Sequence, residues 1–171
     1  MRNARGITLP ELLCAMFVIT LALGTGLPAM QTLVRDAQLS GLVAVYLHAF
    51  NSARYTAVAS HRQVTMCPLD ATGTCTGNWS GDLTIFHDDN RDGRLQEHTD
   101  VIERINLGAP ADIGVTLRAF GGTRYITLRG NGQFRRNGTL RFCPRGAGTG
   151  RAIVINVTGR ARTEQIACPV R

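Results

Sequence analysis

The chain has 171 residues, 44% of them hydrophobic and 6% aromatic, with 19 basic and 12 acidic side chains giving a formal net charge of +7. That length holds one ordinary domain, or one small domain with an appendage. Lysine is absent and the 19 glycines follow no collagen period, which excludes a long Lys/Glu-rich disordered segment and a triple helix. Every cation is therefore a guanidinium, and placement is uneven: Arg35 to Leu117 holds 6 Arg and 10 acids, whereas Arg118 to Arg171 holds 11 Arg and only Glu164.

Beyond Arg2 and Arg5, Leu12 to Val34 runs 23 residues without a charge, long enough as a helix to cover about 30 Å of hydrocarbon. A buried core helix and a cleaved secretory signal compete with a retained anchor. The first is rarely apolar all round, and the second would open its apolar stretch with Glu11, where a carboxylate is costly. The residues Gly6-Ile7-Thr8-Leu9-Pro10-Glu11-Leu12-Leu13 resemble the type III signal of type IV pilins and pseudopilins: a short basic leader, Gly, an apolar residue, Thr-Leu, and Glu five positions after the cut. Ile7 stands where Phe is usual, and Pro10 replaces an aliphatic residue, although proline in a first turn loses no hydrogen bond. The resemblance implies cleavage by prepilin peptidase between Gly6 and Ile7 and methylation of the new Ile7 amine. Residues 1–6 are then a leader and 7–34 a transmembrane and fibre-core helix. A carboxylate in such a core needs a cation, so Glu11 is expected to pair with a neighbouring subunit's amino terminus and set assembly register.

Pro28, preceded by Gly24 and Gly26, is expected to kink or break the helix. Beyond it the pattern turns amphipathic. Leu39, Leu42, Val43, Tyr46, Phe50, Ala53 and Ala57 recur every three or four residues, while Arg35, Asp36, Gln38, His48, Asn51 and Arg54 mostly fall at other angles. One helix from about Pro10 to Ser60 is expected, with no flexible linker. From residue 62 on, short β-branched or alternating runs take over: Val64 to Cys67, Leu83 to His87, Val101 to Leu107, Val115 to Phe120, Arg124 to Leu128, Thr139 to Cys143 and Ala152 to Val157. Gly121-Gly122, Asn131-Gly132, Asn137-Gly138 and Thr158-Gly159 are turn pairs, so hairpins and an antiparallel sheet follow.

Of five cysteines, Cys14 lies in the apolar run and reads as a small buried hydrophobe. Cys67 and Cys75, eight residues apart, can pair, as can Cys143, within a strand run, and Cys168, near the C-terminus. A zinc site is the rival, without a Cys-x-x-Cys knuckle or a second ligand cluster to support it. Asp88-Asp89-Asn90-Arg91-Asp92-Gly93 opens like a calcium loop, with Asp88, Asn90 and Asp92 at alternate positions. Thr99 then occupies the place of the bidentate Glu, with Glu97 or Asp100 as a substitute, and no helix flanks the loop, so a solvated hairpin turn is the reading favoured over a calcium site. His48, His61, His87 and His98 are scattered, and no nucleophile elbow, phosphate loop or carboxylate pair has a confirming context, so no enzyme, cofactor or small-molecule substrate is implied. Trp79 reads as core rather than a stacking platform.

Gly159-Arg160-Ala161-Arg162 is the informative group. Two arginines two residues apart share one face of an extended chain, and their spacing suits phosphates that repeat at about 7 Å or less along one nucleic-acid strand, each guanidinium able to make a bidentate contact. Arg151, Arg171, Arg135, Arg136, Arg141 and Arg145 can extend the same field. Solubilising decoration, or pairing with acids of a neighbouring subunit, is the alternative. The whole chain, from the Gly6 signal through Val64-Thr65-Met66-Cys67-Pro68, Cys75, Trp79, the Asp88 to Gly93 turn and Thr158-Gly159-Arg160-Ala161-Arg162, resembles the FimT/GspH family of minor pilins and pseudopilins, and its Cys67-Pro68 element and tail resemble the FimT branch.

The resemblance implies an α+β fold of the type IV pilin kind, a lollipop whose long helix packs on an antiparallel sheet head at 35–171. That head divides into helix 35–61, a β-rich part 62–157 and an Arg-rich tail 158–171. It also implies a role for Gly159, Arg160 and Arg162 in sequence-independent DNA binding during natural transformation. Other major and minor pilins, prepilin peptidase and the inner membrane are the further partners, with the head in the periplasm before assembly and on the pilus afterwards. A type II secretion pseudopilin, or a minor pilin that only primes assembly, is the other outcome.

Overall fold

The computed structural model describes residues 8–108, 112–119, 122, 124–146 and 148–169, with the side chains of 22, 23 and 25–29 left aside. Two compact units emerge, Met1–Gln38 and Leu39–Arg171. Helix α1, Leu9–Ser60, contributes to both.

In the first unit α1 opens where the amides of Glu11 and Leu12 both donate to the Thr8 carbonyl at 3.1 Å. Pro10 falls in that turn, where no donor is missed. Glu11 sits there too, and its carboxylate is favoured by the positive end of the helix. Leu12, Leu13, Met16, Phe17, Val18, Ile19 and Leu21 are exposed at every angle round the axis, and so is Cys14, a free thiol. The break expected at Pro28 does not occur: helix is continuous through it. A proline removes a single main-chain bond, and those of the turns on either side hold the helix together. Among the described residues no helix is long and apolar enough to cross a membrane.

In the second unit the last part of α1 turns one apolar face inward. Leu39, Leu42, Val43, Tyr46, Ala49, Phe50, Ala53 and Ala57 are all buried. They meet two sheets rather than the one that turn pairs alone suggest. The first has the order β3-β2-β1-β5, built from β1 (Val64–Pro68), β2 (Leu83–His87), β3 (Val101–Ile105) and β5 (Ile126–Leu128). The second has the order β4-β6-β7-β8, from β4 (Ile113–Ala119), β6 (Gly138–Pro144), β7 (Thr149–Ile155) and β8 (Ala161–Ala167). All pairings are antiparallel. Strand alternation decides which face enters the core: Ile113, Val115 and Leu117 of β4 are buried, while Gly114, Thr116 and Arg118 between them are exposed.

A single apolar cluster joins the helix face to both sheets, including Met66, Ile85 and Leu128 from the first and Leu140, Phe142 and Ile153 from the second. Trp79 belongs to it, 1% exposed, and packs the core. The Tyr46 ring meets Phe142 edge-on at 4.9 Å, and its hydroxyl donates to the Trp79 carbonyl. Burial pushes that phenol well above its usual range.

Cys67 is joined to Cys75, with Cα atoms 5.6 Å apart, and Cys143 to Cys168, at 5.7 Å. The second bridge ties the far end of β8 back across β7 to β6. The segment read as a tail is therefore corrected: residues 161–167 are a strand, hydrogen-bonded to β7 from Ala161↔Ile155 to Ala167↔Thr149. Its side chains hide this. Arg162, Thr163, Glu164 and Gln165 are all exposed, as on the charged edge strands that discourage pairing with another sheet, and only the main chain records the pairing.

Candidate nucleic-acid interface

The β7–β8 connection presents Arg160 and Arg162, and polar side chains fix its shape. Gly159 N donates to the Asn156 carbonyl at 2.9 Å and Asn156 N to the Arg160 carbonyl at 3.1 Å. The Asn156 Oδ1 accepts from Arg160 N at 3.0 Å and from Thr158 Oγ1 at 2.6 Å, a local competition with the backbone at which Asn excels. From outside, Asn137 Oδ1 accepts from Val157 N at 2.9 Å. Gly159 has φ +74°, a left-handed conformation, and lies directly against the Gly132 carbonyl oxygen. That oxygen also accepts from Arg54 Nε of the helix at 3.1 Å. The hairpin tip is thus braced by the helix and by the turn after β5.

From this tip Arg160 and Arg162 enter a groove of ≈ 980 Å³ on the outer face of the second sheet. Its floor includes Thr139 and Val154, its rim Asn156, and its opposite wall Arg118. Register explains the assembly: Arg118 pairs with Thr139, Thr139 with Val154 and Val154 with Arg162, one row across four strands. No acid among the described residues lines the groove. Among the described residues the Arg118 and Arg160 guanidiniums meet no carboxylate, while Arg162 Nη2 stands 3.7 Å from Glu164 Oε2. Both members of that pair are open to solvent, so it constrains Arg162 little.

The remaining predicted arginines fall elsewhere. Arg141 shares the outer face but is drawn off to the Ala167 carbonyl at 2.8 Å. Arg151, paired with Phe142 and Gln165, alternates out of the Arg162 row. Arg135, Arg136 and Arg145 do not line the groove; Arg171, like Gly6 and Ile7, lies outside the described residues. Arg118 is the member that sequence reading missed. Its outward phase on β4 was visible, but nothing local records that two intervening strands carry it opposite Arg162.

The calcium-like loop closes on itself. Asn90 Nδ2 donates to Asp92 Oδ2 at 3.0 Å, Asp92 Oδ1 accepts from Arg94 N at 2.9 Å, and Asp88 Oδ2 accepts from Thr65 Oγ1 at 2.7 Å and Gly93 N at 3.3 Å. Among the described residues no group of three His, Cys, Asp or Glu side chains could hold a metal ion. Neighbouring Asp89 is held below the usual carboxylate range by Arg62, whose Nη2 lies 2.7 Å from it.

Comparison with known proteins places these features. The family model described as type II transport protein GspH matches residues 46–159, from the helix face to the hairpin tip. The chain belongs to the GspH family. The type IV minor pilin FimU of Pseudomonas aeruginosa shares its fold: one crystal form superposes with a TM-score of 0.61 at 18% identity, over 77% of this chain and 92% of FimU. A second form gives 0.50 at 19%, over 75% and 91%. No curated protein matches. The family match thus gives membership and the FimU match gives the fold. The family match ends at Gly159, immediately before the Arg160 and Arg162 that enter the groove.

Proposed function

We propose that this GspH-family protein is a minor pilin that binds DNA without regard to sequence, through Arg160 and Arg162, and supports DNA uptake in natural transformation. The observation that carries the reading is the braced hairpin, which presents two solvent-open arginines at a groove with no acid in its lining among the described residues. Residues two apart on an extended chain stand about 7 Å from each other, the pitch of phosphates along one strand. The hairpin's backbone is braced beforehand, so only the two side chains lose freedom on meeting phosphate, and a planar guanidinium loses little per hydrogen bond formed. Contacts of this type position a polyanion and do not read bases.

The same reading covers the N-terminus. Prepilin peptidase removes residues 1–6, the amine of Ile7 is methylated, and residues 7–34 hold the protein in the inner membrane before entering the fibre, where Glu11 meets a neighbour's amino terminus. The apolar side chains exposed all round the helix from Leu12 to Leu21 support this, since such a surface needs lipid or other helices to cover it. Retraction of the pilus then carries bound DNA inward.

The test is fluorescence anisotropy of a labelled duplex with the full chain in detergent. Wild type should bind with an affinity that falls steeply with salt, and Arg160→Ala with Arg162→Ala should flatten the slope of log K against log salt by about 2, close to one unit for each phosphate no longer neutralised. Equal binding by the double variant removes the clamp. A type II secretion pseudopilin is the second reading, favoured by the description of the matching family. Unimpaired transformation in a strain carrying the double variant would favour it.

A further inference from the structure

We infer that Arg118 is a DNA-binding residue, forming the second wall of a channel that grips one phosphodiester strand from both sides; this rests on the DNA-binding reading of Arg160 and Arg162. Arg118 lies on β4 and Arg162 on β8, in one row of paired residues across the sheet. Three strand spacings separate them, about 14 Å from backbone to backbone. Thr139 and Val154 lie in that row between them, and all four residues line the groove. The chain of a nucleic acid running along the strands between them meets Arg160 and Arg162 at successive phosphates on one side and Arg118 on the other.

The lining specifies the ligand's chemistry. Among the described residues the lining holds no Phe, Tyr or Trp on which a base could stack, which favours contacts to the backbone. Its polar members besides arginine are Asn137, Thr139 and Asn156, neutral groups able to donate to phosphate oxygens. Arg118 is exposed and meets no carboxylate among the described residues, so its charge is available and its replacement should leave the fold intact.

The experiment uses the full chain in detergent and a labelled duplex. Arg118→Gln should weaken binding about fivefold to tenfold at low salt and lower the salt slope by close to 1. Arg104→Gln on β3, in the other sheet, removes the same charge from an exposed site and should change affinity less than about twofold. Inorganic polyphosphate should displace the duplex, whereas polyglutamate at equal charge should not. If Arg118→Gln matches Arg104→Gln while the Arg160/Arg162 double variant loses binding, the second wall is wrong and the clamp stands. If polyglutamate competes equally well, the channel reads charge rather than a phosphodiester strand and the inference fails. If wild type binds no duplex, both readings fall together.

Discussion

Gly159 rests against the carbonyl of Gly132, so the first residue of the Gly-Arg-x-Arg group acts through the backbone rather than by touching a ligand. A Cβ on Gly159 would overlap that oxygen and stand 2.9 Å from Arg54 Nε. Its φ of +74° is also one that other L-residues adopt at a cost of about 1–2 kcal/mol. The glycine lets the hairpin tip dock on the turn after β5, and that docking aims Arg160.

Gly159→Ala should therefore destabilise the protein by at least about 1–2 kcal/mol, read as a lower urea midpoint. It should also weaken DNA binding at urea-free conditions where the protein remains folded, although no charge has been removed. Full binding by a folded Gly159→Ala protein would show that the tip need not be docked for the arginines to work.

The helix face was legible because burial leaves a countable spacing of three and four, from Leu39 to Ala57. Strand β2 was equally plain, since Leu83 to His87 is an apolar run with turns on either side. Strand β8 was not. Between Ala161 and Ala167 no side chain is fully buried, so the sequence keeps no alternation to mark it. The two arginines at the hairpin were visible as a motif, but their groove depends on registers between strands distant in sequence. Arg118 and Arg54 enter the site only through those long-range pairings.

The bridge between Cys143 and Cys168 should matter more than that between Cys67 and Cys75. It closes a separation of 25 residues against 8. On the chain-entropy account it therefore contributes about 3.5 kcal/mol against about 2.5. It also holds the end of an edge strand whose own side chains bury little. The Cys143→Ala/Cys168→Ala protein should unfold at lower urea than the Cys67→Ala/Cys75→Ala protein and show faster amide exchange along β8. Equal exchange along β8 in both would mean that the β7 ladder alone secures the strand.

Calcium should leave the protein unchanged. The oxygens of Asn90 and Asp92 already accept from amides of their own loop, and one oxygen of Asp88 is engaged by Thr65 and Gly93. Titration calorimetry should show no heat at millimolar calcium, with an unaltered melting temperature. A clear rise in melting temperature would show that the ion can reorganise the turn.

Asp88 instead gives the protein a pH dependence of identifiable sign. Its side chain is 2% exposed, and Oδ1 has no hydrogen-bond partner among the described residues. Thr65 Oγ1 donates to Oδ2 and lies 2.8 Å from Thr127 Oγ1, so the Thr127 hydroxyl donates to Thr65 in turn. Burial is the larger influence and raises the Asp88 pKa above 3.8, against the lowering effect of these bonds. The folded state thus keeps its proton to higher pH than the unfolded chain does. The resulting contribution to stability is complete below pH 3.8 and is lost as pH rises through the folded pKa. Asp89 and Asp70, lowered by Arg62 and by Thr72, contribute in the opposite sense, above 3.8 and less as pH falls. Asp88→Asn retains an acceptor for Thr65 and does not titrate. The stability difference, wild type minus variant, should therefore decline as pH rises from about 4 to about 7 in urea unfolding at matched salt. A flat difference would mean that Asp88 titrates alike in the folded and unfolded states.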